Sequence, residues 1–255
     1  MEKHFKIRKD LSMRYKGYTL YRIEATKDLP DHAVKKGDLG GWIEKEENLQ
    51  GNAWIADEAK VFEDARVRDN AEICCEAKVR DYAKVLGNTL IFDNAKVHGN
   101  AKIRGCAEVG GNARVFGNAV VQGYAEVRDN AEVADNAMVS NNAKVSGDAL
   151  IHGYARVIGN AEVGGNANIW CSAKVCGNAN VIGDVLEQEN DCKSIAGDKY
   201  NITITPKYIK IGCQHHTKEE WWNFTDREIL EMDGKEGLEW WKKWKPILQL
   251  ICEEE

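Results

Sequence analysis

Two histidines carry the chemistry that stands out first. An imidazole titrates near neutral pH, so His98 and His152 are natural candidates for a general base that takes a proton from a hydroxyl or amine. Counted in steps of 18 residues, the column through them reads Phe62, Arg80, His98, Phe116, Ala134, His152 and Trp170. Two positions earlier runs a cationic column, Lys60, Lys78, Lys96 and Arg114. Arg66, Arg68, Lys84, Lys102 and Arg104 fall in a neighbouring set, whereas Glu72, Glu108, Glu126 and Glu162 make a third, acidic one. Aromatic rings stack on planar bases, and Arg and Lys grip phosphate oxygens. Arg80, His98, Phe116, His152 and Trp170, with Lys78, Lys96 and Arg104, are therefore candidate ligands of a small nucleotide-like anion. Plainer readings exist for the same residues: surface histidines, and an aromatic column buried between copies of the chain.

The 18-residue spacing is three times a shorter period. Ala recurs every sixth position from Ala53 to Ala179, with Thr89 as the one substitute, and the residue two places later is always Val or Ile. Gly or Asp followed by Asn closes most units, as in Gly99-Asn100, Gly117-Asn118 and Asp135-Asn136. No insertion breaks this A-x-[V/I]-x-[G/D]-N pattern across its 22 hexads. Residues two apart in a strand share a face, so Ala and Val or Ile point together into an interior. Gly and Asn tolerate positive φ and can turn the chain after a very short strand. Three such faces close a triangular coil, and coils stack as parallel strands about 4.8 Å apart. The predicted prism has about seven coils and is roughly 35 Å long on that spacing. Its outward residues form the columns described above.

This unit is similar to that of the hexapeptide-repeat, left-handed β-helix family, in which an aliphatic residue is followed four places later by a small one. The resemblance covers about half of the chain and implies left-handed coiling, against the usual crossover preference. It also implies a homotrimer, a common kind of closed assembly, with sites in clefts between protomers. For catalytic members it implies CoA-dependent acyl transfer, which here would use acetyl-CoA or another acyl-CoA with His98 or His152 as base. Such enzymes typically extrude a loop from the prism to wall the cleft, and no loop interrupts these coils. Gly37-Asp-Leu-Gly-Gly-Trp42 looks like a segment of acyltransferase-like bacterial and prophage proteins, and Ile211 to Trp221 resembles C-terminal modules of phage repeat proteins. These likenesses imply a viral or bacterial origin. The favoured expectation is a non-catalytic phage protein that sequesters a host signalling nucleotide, without a cofactor, as an anti-defence device. Acyl transfer and a purely structural or assembly role are the alternatives.

The remaining sequence bounds these readings. The net charge of -6 argues against a binder of long nucleic acid, and no apolar run has the length of a membrane span. The charged start, Met1 to Lys6, lacks a signal-like apolar core, so a cytoplasmic setting is expected. The eight cysteines form no C-x-x-C pair, and neighbours Cys74 and Cys75 do not easily bridge each other, so free thiols are expected. The expected division is an N-terminal β cap over 1–40, the prism over 41–187 and a C-terminal hairpin plus helices over 188–255. The strand-like Tyr18 to Glu24 belongs to the cap. In the tail, Tyr200 to Thr205 and Tyr208 to Ile211 predict a hairpin, and Thr217…Glu220 and Thr225…Glu228 are capping boxes. A last helix over 238–251 would be bent by Pro246. Cys213, His215 and His216 invite a metal, but four spaced ligands are not evident and adjacent histidines do not converge readily, so no metal is expected.

Overall fold

The computed structural model describes residues 3–253. It is mainly β: a parallel β-solenoid of about eight turns carrying a small C-terminal α/β module. The 22 hexads make about seven of these turns, and the preceding stretch from residue 41, already assigned to the prism, supplies the rest, with Ile43 pairing with Val61 and Leu49 with Val67. Each coil holds 18 residues, as the pairing of Lys60 with Lys78 and Lys78 with Lys96 shows. Three parallel sheets result. One bears Lys60–Val61, Lys78–Val79 and Lys96–Val97, the second Arg66–Val67 and Lys84–Val85, and the third Glu72–Ile73 and Glu108–Val109.

The inward slots behave as the alternation requires. From Ala53 to Val181 the repeat Ala and Val/Ile side chains are essentially solvent-free and form one continuous cluster. Thr89 replaces Ala at the cost of a buried hydroxyl without a hydrogen-bond partner.

The corners differ from the expectation in one respect. Positive φ falls on the first residue of each pair, for example Gly99 (φ 67°) and Asp135 (φ 57°), and not on the following Asn. A Cβ at Gly99 would come within 2.9 Å of the Gly117 nitrogen, so the close stacking of coils favours glycine there. Where Asp takes this corner, its carboxylate accepts from the backbone N–H one coil onward, Gly87 to Asp69 at 2.9 Å and Gly147 to Asp129 at 2.9 Å. The Asn side chains instead bond one another along the stack, as in Asn142 to Asn160 (2.9 Å) and Asn160 to Asn178 (3.1 Å).

The N-terminal segment does more than cover an open end. Strands β1 (Phe5–Tyr15) and β2 (Tyr18–Ala25) form an antiparallel hairpin, and β2 pairs with β3 (Leu39–Ile43), the first strand of the lysine-bearing sheet. The alternation of Phe5, Ile7, Leu11, Met13 and Tyr15 fits β1, which adds a strand to the cap beyond the expected Tyr18 to Glu24. Lys16 (φ 48°) and Gly17 (φ 90°) make the two-residue turn, whose paired positive φ values match the twist of a hairpin. Phe5, Ile23 and Leu29 join the solenoid core and close its end.

His32 pins the connection that follows. Its Nδ1 lies 3.0 Å from Glu72 Oε2, its Nε2 lies 2.8 Å from the Asn52 carbonyl oxygen, and its side chain is 2% exposed. The Glu72 hydrogen bond raises the His32 pKa above its ordinary 6.5, against the effect of burial. The folded protein therefore holds this proton more tightly than the unfolded chain. That stabilisation is complete below 6.5 and is lost as pH rises through the raised value. Burial lowers the pKa of nearby His4, which acts in the opposite direction. The Tm difference between wild type and His32→Gln isolates the His32 contribution. It is expected to shrink as pH rises through that window, and a gap that widens contradicts the assignment.

The tail extends the expected hairpin to four antiparallel strands, Lys193–Ala196, Asn201–Ile204, Tyr208–Ile211 and Gln214–Thr217. Both capping boxes form. Thr217 caps α1 (Lys218–Asn223) reciprocally with Glu220, and Thr225 exchanges hydrogen bonds with Glu228 at the start of α2 (Asp226–Glu253). Non-helical φ and ψ at Asp233 and Gly234 divide α2 into two helical stretches, and Pro246 lies inside the second. Trp221, Trp240 and Trp241 pack with Ile202, Ile204 and Ile209 into a core separate from that of the solenoid. No helix is long and apolar enough to cross a membrane among the described residues.

Candidate site: a basic cleft under the N-terminal hairpin

The cationic column predicted from the sequence exists as a ladder. Lys60, Lys78, Lys96 and Arg114 occupy directly paired positions on adjacent parallel strands. Like charges in such register repel, which destabilises the sheet by tenths of a kcal/mol or more per pair. The ladder ends at Glu132, which pairs with Arg114 at 2.9 Å. Among the described residues, no carboxylate forms an ion pair with Lys16, Lys78 or Lys96.

The hairpin turns this ladder into a cleft. Tyr15 and Tyr18 pack on Phe62, with ring centroids 5.7 and 5.5 Å away, and leave Phe62 1% exposed. The Lys60 ammonium sits 5.5 Å from the Tyr15 ring centre and donates to the Glu58 carbonyl oxygen, and burial lowers its pKa. Beyond Phe62, Tyr15 and Lys16 overhang Lys78, Arg80, Lys96, His98 and Arg114, enclosing about 350 Å³. That volume lies within the usual range of small-molecule sites.

Of the aromatic column, Phe62 and His98 line the cleft, and Phe116 lies behind His98, outside the lining. His98 and Phe116 are parallel, with centroids 5.0 Å apart and planes 2° from coincident. The Arg114 guanidinium lies 5.5 Å from the Phe116 ring centre. Asp81 organises the near side: it pairs with Arg80 at 2.7 Å, lies 3.6 Å from His98 Nδ1 and accepts from the Gly99 N–H at 2.8 Å. Burial first, and the Arg80 charge second, lower the His98 pKa, which favours the uncharged ring. The cleft thus offers cationic donors and an imidazole ring backed by the Phe116 ring.

The structure divides the other sequence-predicted residues among separate places. His152 stacks on Trp170 (6.0 Å, 18°) and contacts Asn168 Oδ1 at 2.8 Å, beyond the small, buried Ala134. This second aromatic pair has no overhanging hairpin, and the Trp170 indole N–H is buried without a partner. Arg104 lies on the neighbouring face, where it donates to Gln122 at 2.7 Å, and so does not join the cleft. A further cationic register, Arg66, Lys84 and Lys102, runs along that face but is exposed to water. Tyr15 and Lys16 are the wall residues that sequence reasoning missed.

In the tail, His215 stacks on Tyr208 (4.8 Å), while His216 packs against Trp221 and Phe224, so the two rings do not converge with the exposed Cys213. None of the cysteines among the described residues forms a disulfide. No family model matches this chain, and no curated protein matches it.

Proposed function

We propose that the protein binds and sequesters a small nucleotide-like anion in the cleft under the hairpin, without chemical turnover. The observation that carries this reading is the in-register ladder of Lys78, Lys96 and Arg114 beside the Phe116–His98 stack. An anion bridging the ladder removes its internal repulsion, and a base stacked on the ring pair gains contact at little cost in ordering. The chain's own hairpin walls this cleft, and in a trimer a neighbouring copy would close its open side, in keeping with the expected clefts between protomers. A homotrimer, with the acidic face of one copy against a basic face of the next, remains part of the proposal. Native mass spectrometry reports both the assembly and any retained ligand mass.

Calorimetric titration tests the reading with adenosine and guanosine phosphates, their cyclic mono- and dinucleotides, and coenzyme A. At least one nucleotide is expected to bind, with affinity falling as salt rises. Lys78→Ala with Lys96→Ala is expected to weaken it and flatten the salt dependence. Phe116→Ala is expected to cost about 1–3 kcal/mol for a base-containing ligand and to leave inorganic triphosphate unaffected. No binding by any of these probes, with no ligand mass retained from lysate, overturns the proposal.

Acyl transfer is the second reading, favoured by one arrangement: His98, its uncharged form favoured, with a carboxylate beside Nδ1. It requires acetyl-CoA-dependent product formation that disappears in His98→Ala. Sequestration requires a ligand recovered unchanged.

A further inference from the structure

Cys74 and Cys75 depart from the repeat at a place where local preference gives no reason for them. Cys75 fills the positive-φ corner slot (φ 59°), which elsewhere holds mostly Gly or Asp. A β-carbon in that region is disfavoured by about 1–2 kcal/mol for most residues. Successive side chains of a strand point to opposite faces, so neighbouring thiols ordinarily diverge. Here the corner breaks the alternation, and the two Sγ atoms lie 3.7 Å apart. Two thiolates bound at about 2.3 Å on one tetrahedral ion are separated by nearly the same distance.

A third ligand comes from the coil below. Asp57 stands 18 residues before Cys75 in the same corner column, and its Oδ2 accepts from the Cys75 N–H at 3.0 Å. One ligand atom each from Asp57, Cys74 and Cys75 lies within 4.8 Å of the others, and this is the single such group among the described residues. Asp57 is exposed, whereas both cysteines are half-buried, so the group opens to solvent on one side. Cys171 takes an equivalent corner (φ 52°) with no neighbouring thiol.

We propose that Asp57, Cys74 and Cys75 bind one thiophilic divalent cation, Zn²⁺ being the reference ion, with a fourth position open to an external ligand. Sulfur donors select such ions over Mg²⁺ and Ca²⁺. The ligands bind as thiolates, so binding releases protons and strengthens as pH rises.

The test is titration of the reduced, full-length chain with Cd²⁺, read by its sulfur-to-metal charge-transfer absorption, and with Zn²⁺ against a chromophoric chelator. One ion per chain is expected. Cys74→Ser with Cys75→Ser should abolish the absorption, whereas Cys213→Ser should leave it unchanged. Asp57→Asn, which can still accept from the Cys75 N–H, should weaken affinity by about tenfold or more, the scale on which groups around a metal ion act. Should the double variant fail to fold, alkylation of the wild type reads the same site: Zn²⁺ should protect Cys74 and Cys75 selectively. Absorption that survives in a folded double variant, or protection spread evenly over all the cysteines, overturns the site.

Discussion

Val115→Asp is expected to break the solenoid at its middle. Val115 is fully buried in the continuous core and lies next to Val97 and Val133 in register. A carboxylate there has no partner and no water, a penalty of several kcal/mol. A domain of ordinary stability has only about 5–15 kcal/mol to lose. Because each coil touches mainly its neighbours, the damage should spread outward from that coil and not act on all coils at once. Hydrogen exchange should show protection lost first around 97–133, and circular dichroism should show reduced β signal with a broadened melt. Val115→Ala serves as the size control and should lower Tm while keeping a single coherent fold. An aspartate variant that melts like wild type contradicts the inward placement of the aliphatic slot.

Trp221→Ala is expected to unfold the tail while sparing the solenoid. The Trp221 ring is buried, contacts Trp241 (5.0 Å) and Phe224 (5.5 Å), and its N–H donates to the Ile209 carbonyl oxygen at 2.7 Å. Removing a buried aromatic of this kind costs about 3–5 kcal/mol, and the Ile209 oxygen loses a partner as well. Against the small core of residues 193–253 that loss is decisive. The junction with the last coils is slight by comparison, including an Asn180 N–H donated to the Thr203 hydroxyl at 2.9 Å. The expected record is loss of the tail's tryptophan fluorescence shift and proteolysis near 188–200, with the high-temperature β transition retained. Simultaneous loss of both transitions shows instead that the two cores fold as one unit.

The architecture was legible because a solenoid is nearly one-dimensional. Each residue's neighbours are the residues 18 places before and after it, so a six-residue pattern specifies inward slots, corners and outward columns without long-range information. That is why the stacking of His98 on Phe116 and the lysine ladder could be anticipated by counting. The same arithmetic links Asp57 to Cys75, whereas in the tail strand alternation sends His215 and His216 apart.

Other features depended on contacts that no period encodes. The Lys16-Gly17 turn and the alternation of β1 mark a hairpin, but neither says that its tip reaches Phe62. Docking of the Tyr15 and Tyr18 rings on Phe62 decides that, and it places Lys16 above His98, turning an open basic face into a cleft. Asp233 and Gly234 divide α2 because their non-helical dihedrals interrupt it, a break that no periodic signal marks, while Pro246 lies within the second stretch. By itself the sequence determined the prism and its surface columns, since backbone stacking repeats every coil. Only the tertiary structure decided which stretch of those columns is covered, because the hairpin leaves the lattice of the repeat and docks through Tyr15 and Tyr18 on Phe62, a long-range contact.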